Sequence, residues 1–163
     1  MKTKLLLVMA GLVAWAGSVS AQKDHAAIQA VIEKETQAFL TVDRDAWKAT
    51  WLQAPYAYWS YSDSTGTSYK EGWDQIEASF REYFTSQKHH RPIDVAYRST
   101  GLKVERTWQD FRIYKNGAYV RFTQRVTEES ISRDETSQVR VLEKKDGQWK
   151  IVCVSVIARY PQD

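Results

Sequence analysis

The sequence has few of the residues that build disulfide frameworks, covalent active sites and flexible linkers. Its single cysteine, Cys153, cannot form an intramolecular disulfide. The three prolines and seven glycines are dispersed, so no Pro-, Gly- or Ser-rich linker divides the chain. Also missing are a Gly-rich phosphate-binding loop, a His-Glu-x-x-His pair, a Gly-x-Ser-x-Gly elbow and a histidine close to the cysteine in sequence. These absences argue against nucleotide-dependent, zinc-dependent and covalent hydrolytic chemistry, and we expect neither a cofactor nor a metal.

Hydrophobic runs long enough to cross a membrane are missing too. The uncharged run Leu5–Ala16 is well short of the roughly 20 residues that a spanning helix needs. Two lysines precede this run and small residues follow it at Val19–Ala21, which is the pattern of an export signal. No cysteine stands at the cleavage point, which disfavours a lipoprotein anchor. We therefore expect a signal peptide over residues 1–21, cleavage after Ala21, and a periplasmic or secreted domain over 22–163 without membrane contact.

A strong excess of either charge is also absent. The chain carries 23 Lys and Arg against 20 Asp and Glu. Two of the lysines belong to the predicted signal, which has no acid, so 21 basic and 20 acidic side chains remain after cleavage. Such a balance gives no basic surface for nucleic acid. The 142 residues left after cleavage fit one domain with a full hydrophobic core.

Aromatic side chains, in contrast, are abundant, with seven Trp and nine Tyr. Large aromatic residues fill protein cores, and they also line pockets that hold flat or apolar ligands. The sequence leaves both roles open for each residue. We expect that one or two of them line a cavity, and the candidates for its walls are Trp51, Tyr58, Trp73 and Trp108.

Hydrophobic periodicity predicts helices in the first half of the chain and an antiparallel sheet in the second. The predicted helices cover Asp24–Val42, Arg44–Leu52 and Trp73–Ser86. Aromatic or alternating segments predict strands over 56–61, 95–104, 107–114, 118–128, 136–144 and 148–157. The dipeptides Asn116-Gly117 and Asp146-Gly147 are typical of hairpin turns. This order indicates an α+β fold in which the helices cover one face of a curved sheet.

Three short motifs support a family resemblance. Asp43-Arg44-Asp45 lies between the first two helices, Gly72–Ile76 opens the third, and Asp146–Val152 lies in the last hairpin. This order over residues 24–158 resembles the nuclear-transport-factor-2-like superfamily, and it is most similar to the SnoaL-like, ketosteroid-isomerase-like branch. The resemblance implies a cone-shaped α+β domain, with three N-terminal helices on a curved, mainly antiparallel sheet, an internal pocket and often a homodimer. It implies no single activity, because this fold hosts isomerases, cyclases, dehydratases, binding proteins and assembly modules.

The catalytic residues of the steroid isomerases carry over only in part. The resemblance places Glu35 where those enzymes have a first-helix tyrosine. It places their general base near Asp63 or near Trp59, depending on the helix from which the position is counted. The late-strand acid falls at 138–140, where the sequence has no carboxylate. We therefore expect no steroid isomerisation by that arrangement. Asp63 remains a candidate base, with a turn-forming role as the alternative.

Glu35 is the residue that most directly suggests a site. It lies on the apolar stripe of the first predicted helix, which contains Ile28, Val31, Ile32, Phe39 and Val42. A carboxylate that faces the core is strongly unfavourable unless a cation, hydrogen bonds or water compensate it. If Leu142 faces the core, strand alternation places Arg140 on the same face, where we expect it to pair with Glu35 in bidentate fashion. The same alternation turns Gln124 inward. The alternative is a structural ion pair that only fixes the helix on the sheet.

Three functions remain open on this basis. The first is an exported protein that binds a small, partly apolar ligand, with aromatic walls and with Glu35 and Arg140 as polar anchors. The second is a cofactor-independent acid–base enzyme of the isomerase, dehydratase or cyclase type, with Glu35 and Asp63 as candidate catalytic residues. The third is a dimeric interaction module whose interior is filled by side chains. We favour the binding protein, with the enzyme as the alternative, because a carboxylate beside an arginine is typical of binding rather than of acid–base catalysis.

Overall fold

Helices and strands follow each other along the chain in the predicted order. The computed structural model describes residues 4–90, 102–128 and 131–159, with side chains described for 22–86, 103–127 and 135–159. The helices are α1 (Lys4–Leu40), α2 (Arg44–Ala49) and α3 (Trp73–His90). The strands are β1 (Tyr58–Asp63), β2 (Gly66–Glu71), β3 (Leu102–Ile113), β4 (Gly117–Glu128), β5 (Ile131–Lys145) and β6 (Gln148–Arg159).

The strands form one curved sheet. Its six strands lie in the order β2-β1-β6-β5-β4-β3. Strands β1 and β6 pair in parallel, and the other neighbours pair antiparallel. The predicted α+β architecture, with helices on a mainly antiparallel sheet, is therefore confirmed.

The first helix is separated from the second by a short break. Val42 adopts a positive φ of 59°, and Asp43 caps α2 by accepting a hydrogen bond from the Ala46 amide at 3.0 Å. The second helix ends earlier than predicted because the chain leaves it to join the sheet, where the Leu52 amide donates to the Ile151 carbonyl at 2.9 Å. Helix α1 continues through the predicted cleavage point, and export stays a prediction.

Among the helices that the structure describes, none is long and apolar enough to cross a bilayer.

Both predicted hairpin turns are confirmed. Asp146 and Gly147 have φ values of 52° and 77° between β5 and β6, which are the two left-handed positions of a type I′ turn. Between β3 and β4, the Tyr114 amide donates to the Gly117 carbonyl at 2.7 Å. The turn residues therefore fix the register of the strands that carry the inward-facing side chains.

Two strands differ from the prediction. The predicted strands over 95–104 and 107–114 correspond to a single strand, β3, and residues 95–101 lie outside the described part of the chain. Strand β2 is absent from the prediction, because its side chains are mostly exposed and show no apolar alternation. A register shift between Trp108 and Asp110 marks a bulge in β3, which interrupts the alternation that sequence reasoning relies on.

The sheet has a helix-facing side and an outer side, and side chains alternate between them along each strand. One row on the helix-facing side contains Trp108, Phe122, Gln138 and Val156. The adjacent row contains Arg106, Gln124 and Thr136. The hydrophobic core lies between this side and the helices. Its largest fully buried side chains include Trp47, Phe84, Phe122, Ile28, Ile32 and Ile76.

Candidate functional site

Glu35 is buried on the core side of α1, with only 6% of its surface exposed. Its Oε2 lies 3.3 Å from Nη2 of Arg140, and its Oε1 accepts a hydrogen bond from Nε1 of Trp47 at 3.3 Å. The neighbouring Thr36 hydroxyl donates to Oε2 at 3.4 Å. All three distances are longer than the roughly 2.7–2.9 Å of a strong charge-assisted hydrogen bond. The carboxylate is therefore compensated, but by loose contacts.

Arg140 reaches Glu35 from β5, so the inward orientation predicted by strand alternation is confirmed. The residue is 3% exposed, and Leu142 on the same strand is fully buried. The predicted bidentate pairing is wrong. Only Nη2 contacts the carboxylate, while Nη1 donates to the Val139 carbonyl at 3.2 Å and the buried Nε has no partner among the described residues. The ring of Phe122 lies 5.5 Å from the guanidinium carbon.

A second arginine lies on the same side of the sheet. Arg106 on β3 pairs in register with Gln124, and its guanidinium carbon lies 5.7 Å from the centre of the Phe122 ring. Its Nε and Nη2 are buried and have no hydrogen-bond partner in the described part of the chain. Burial lowers the pKa of Arg106, and the charge of Arg140 lowers it further. Two guanidinium groups therefore share this interior with the carboxylate of Glu35.

Two buried glutamines lie on the same side of the sheet as Arg106 and Arg140. Gln124 and Gln138 are 8% and 4% exposed, which confirms the inward orientation expected for Gln124. The Gln138 Nε2 donates to the Thr136 hydroxyl at 2.7 Å, whereas the Oε1 atoms of both glutamines have no partner among the described residues. We call Glu35, Arg106, Gln124, Gln138 and Arg140 the interior polar cluster. Its unpartnered atoms are unusual, because buried polar groups in proteins are nearly always hydrogen-bonded.

The four aromatic candidates occupy different places. Trp108 lies on the helix-facing side, with its ring 5.0 Å from that of Phe122 and 6.0 Å from the guanidinium carbon of Arg106. Trp51 and Trp73 belong to the buried core, and their ring centres are 6.0 Å apart. Of these three tryptophans, Trp108 is the one whose ring contacts place it beside the interior polar cluster.

Tyr58 lies on the outer side of the sheet. Its register partner on β6 is Cys153, and its ring stacks on that of Tyr69 with centres 6.4 Å apart. Its neighbour Trp59 is the inward residue, because it pairs with the buried Val154. The prediction that Tyr58 lines the same interior as Glu35 is therefore wrong by one position in the alternation.

Asp63 ends β1 and bonds the turn that follows. Its Oδ1 accepts hydrogen bonds from the amide and the hydroxyl of Thr65 at 2.8 and 2.6 Å. The hydroxyl bond, with help from the amide bonds of Thr65 and Gly66, lowers the pKa of Asp63. These contacts correspond to the turn-forming alternative, and a base that is held ionised in this way is a weak proton acceptor.

Two cavities are lined by described residues, and of these two the smaller one reaches the interior polar cluster, through Gln124. A groove of about 560 Å³ separates the start of the described α1 side chains from the β5–β6 hairpin, with Lys23, Asp24 and Lys144 among its lining residues. A smaller cavity of about 170 Å³ involves Thr123 and Gln124. Neither includes Glu35 or either cluster arginine. Within the described residues, no three His, Cys, Asp or Glu side chains are placed to hold a metal ion.

Solved structures share this fold. An NTF2-like protein with a cystatin-like fold from Novosphingobium aromaticivorans matches with a TM-score of 0.65 and 15% identity, over 93% of this chain and 92% of that one. An NTF2-like protein of unknown function from Shewanella oneidensis matches with a TM-score of 0.57 and 17% identity, over 82% and 98%. This chain has the NTF2-like fold. A candidate calcium/calmodulin-dependent protein kinase type II association domain from Thiobacillus denitrificans matches with a TM-score of 0.60 and 12% identity, over 81% and 94%.

At these identities the likeness concerns the NTF2-like fold alone. No protein-family model matches the sequence, and no curated protein is significantly similar to it. The superfamily resemblance is thus confirmed at the level of the fold, while the SnoaL-like branch stays a prediction.

Two residues at the interior polar cluster, Arg106 and Trp47, are not among the site residues predicted from the sequence. Arg106 falls in the predicted break between two strands, although Val104, Arg106 and Trp108 alternate to the same side of one continuous strand. A single strand over 102–113 would have turned Arg106 inward. Trp47 is recognisable as a core residue from its helical spacing, but its hydrogen bond to Glu35 joins two helices and has no signal in local sequence.

Proposed function

We propose that the chain is an exported protein that binds a small, partly apolar ligand at the interior polar cluster. One observation carries the proposal: in the described part of the chain, six buried side-chain polar atoms have no hydrogen-bond partner, and five of them belong to the interior polar cluster. They are Nε and Nη2 of Arg106, Nε of Arg140, and Oε1 of Gln124 and of Gln138. Each such atom costs about 1–3 kcal/mol if it stays unpaired, so a ligand that satisfies several of them gains binding free energy.

A purely structural ion pair fits this arrangement less well. A buried pair that fixes a helix needs good geometry and additional hydrogen bonds around it. Here Arg140 contacts Glu35 through one nitrogen at 3.3 Å, and a second arginine nearby has no ion pair among the described residues. The rings of Trp108 and Phe122 beside Arg106 supply apolar contact surface. Polar atoms that converge on an aromatic surface are typical of ligand sites.

An acid–base enzyme finds less support. Such a site needs a second titratable group near the first, usually another carboxyl, a Tyr or a His. The described contacts of Glu35 are with Arg140, Trp47 and Thr36. Asp63, the other candidate base, is engaged by Thr65 in its own turn.

We also propose that the chain forms a homodimer. The outer side of the sheet presents Ile157, which is 54% exposed, beside partly exposed Val139, Val141 and Cys153. An apolar strip on an antiparallel sheet is a surface on which a second copy can pack. The neighbour from Thiobacillus denitrificans is described as a candidate association domain, which agrees with this proposal.

Native mass spectrometry tests the binding proposal. The full chain is expressed in an exporting host, purified without added ligand and sprayed under native conditions. We expect a chain that begins at Gln22, a dimer mass, and an additional small-molecule mass that disappears on collisional activation. Glu35→Gln should remain folded and lose the small molecule, because it removes the charge but keeps the oxygen that accepts from Trp47.

Glu82→Gln is the matched control, because Glu82 is exposed on α3. It should retain the small molecule. A wild-type protein without any bound molecule would contradict the proposal in favour of a structural ion pair. A Glu35→Gln variant that is folded and keeps the small molecule would contradict the assignment of Glu35 to the site.

A further inference from the structure

We infer that the ligand carries a carboxylate or a similar small oxyanion, and that Arg106 binds it. This inference rests on the proposed function, because it names the chemical class of ligand for the same interior polar cluster. It starts from the charges of that cluster. Two guanidinium groups, Arg106 and Arg140, accompany a single carboxylate, that of Glu35.

The carboxylate of Glu35 is already engaged. It receives Nη2 of Arg140 on one oxygen and the indole N–H of Trp47 on the other. Arg106 forms no ion pair within the described residues. Glu33 and Glu35 attract it at longer range, and Glu33 is itself exposed to solvent on α1. Arg106 is partly exposed, but its Nε and Nη2 are buried and have no anion among the described residues. A negatively charged ligand group would satisfy these two nitrogens, so the positive charge of Arg106 favours such a group.

The two unpartnered donors of Arg106 have the geometry that a carboxylate requires. Nε–H and one N–H of Nη2 lie parallel on one edge of the guanidinium plane, and both nitrogens are buried without a partner among the described residues. This edge is the fork that receives the two oxygens of a carboxylate. The rings of Phe122 and Trp108 flank it, at 5.7 and 6.0 Å from the guanidinium carbon.

The other unpartnered atoms of the interior polar cluster indicate which further polar group the ligand carries. Two acceptors have no donor within the described residues, namely Oε1 of Gln124, which is opposite Arg106 in register, and Oε1 of Gln138. They would accept hydrogen bonds from a hydroxyl or an amine of the ligand. The structure thus favours a small aromatic or otherwise apolar acid that also carries a hydrogen-bond donor.

Three probes that differ in charge test the inference. 4-Hydroxyphenylacetate, 4-hydroxyphenylacetamide and tyramine share a ring and a hydroxyl group, and they are anionic, neutral and cationic at pH 7. Their dissociation constants are measured by isothermal titration calorimetry on the purified protein. We expect the acid to bind at least tenfold more tightly than the amide, and tyramine to bind more weakly than either.

Variants of Arg106 test whether this residue causes the preference for the acid over the amide. Arg106→Gln should bring the acid and the amide to similar affinity while it changes the affinity for the amide only two- to threefold. Arg106→Lys keeps the charge but loses the fork, so an intermediate preference is expected. Arg121→Gln is the matched control, because Arg121 is exposed on the outer side of β4, and it should retain the wild-type preference. Circular dichroism confirms that each variant is folded.

The outcomes separate this inference from the proposed function. The inference would be overturned if the wild-type protein bound the acid and the amide equally well, and the ligand would then be neutral. It would also be overturned if the preference for the acid persisted in Arg106→Gln. Tighter binding of tyramine would also overturn it, and would point to Glu35 as the anchor. Failure of all three probes to bind would overturn the inference if the protein still carries a co-purified molecule. The same failure in a protein that carries none would contradict the binding function itself.

Discussion

Replacing Gln138 by leucine should raise the stability of the protein while it removes ligand binding. The Gln138 side chain is 4% exposed, its Nε2 donates to Thr136 at 2.7 Å, and its Oε1 has no partner among the described residues. An unpaired buried polar atom costs about 1–3 kcal/mol, whereas a satisfied hydrogen bond contributes about 0.5–1.5 kcal/mol. Leucine is similar in size, and its neighbours in the row would be Phe122 and Val156. We therefore expect the free energy of unfolding to rise by about 1 kcal/mol.

Urea unfolding measures this change. The midpoint should rise with an unchanged slope, because the folded and unfolded states keep their compactness. Gln109→Leu is the control, since Gln109 is exposed on β3, and we expect it to change the free energy of unfolding by less than about 0.5 kcal/mol. The co-purified small molecule should be lost from Gln138→Leu alone. A Gln138→Leu variant that is less stable than the wild type by more than about 1 kcal/mol would show that the Gln138 amide stabilises the fold, contrary to this prediction.

Three further predictions concern stability, pH and binding. Arg140→Met should lower the free energy of unfolding by about 3–5 kcal/mol, because it leaves Glu35 buried without its cation. Adding Glu35→Gln should recover part of that loss in the same urea assay, and strictly additive effects would contradict the pairing. The hydrogen-bonded ion pair with Arg44 lowers the pKa of Glu77. The pair therefore stabilises the fold at pH values above 4.5, the ordinary pKa of this carboxyl group, and its contribution is lost as the pH falls below 4.5. Arg44→Gln should therefore lower the urea midpoint at pH 7 and approach the wild type near pH 3, whereas a constant gap would be inconsistent with that linkage. Trp108→Leu should weaken binding of 4-hydroxyphenylacetate about tenfold, measured by calorimetry, and unchanged affinity would remove Trp108 from the site.

Much of the fold follows from local patterns in the sequence. The turn dipeptide Asp146-Gly147 determines the β5–β6 hairpin because both residues accept a positive φ. Once that turn is placed, strand alternation turns Arg140 and Leu142 inward, and the carboxylate on the apolar stripe of α1 has a partner that can be named. These inferences succeed because each depends on a single element with an unbroken period.

The parts that fail depend on interruptions or on contacts between distant segments. Arg106 is missed because the predicted strands end at 104 and begin again at 107, although the alternation from Val104 to Trp108 is unbroken. The bulge comes only after Trp108 and changes the alternation from Asp110 onwards. Tyr58 is wrongly predicted to face the helices. In a strand, a shift of one residue in the assumed alternation reverses the side on which every side chain lies. Whether Glu35 receives one nitrogen or two from Arg140 depends on the Val139 carbonyl, which competes for the same guanidinium and has no signal in the local pattern.

A crystal structure of the protein as isolated from an exporting host, without added ligand, would show whether the interior polar cluster holds a small molecule. We expect density for a small molecule beside Arg106, within hydrogen-bonding distance of its Nε and Nη2 and of Oε1 of Gln124 or Gln138. An interior in which these atoms bond to one another, with side chains filling the space between α1 and the sheet, would contradict this expectation.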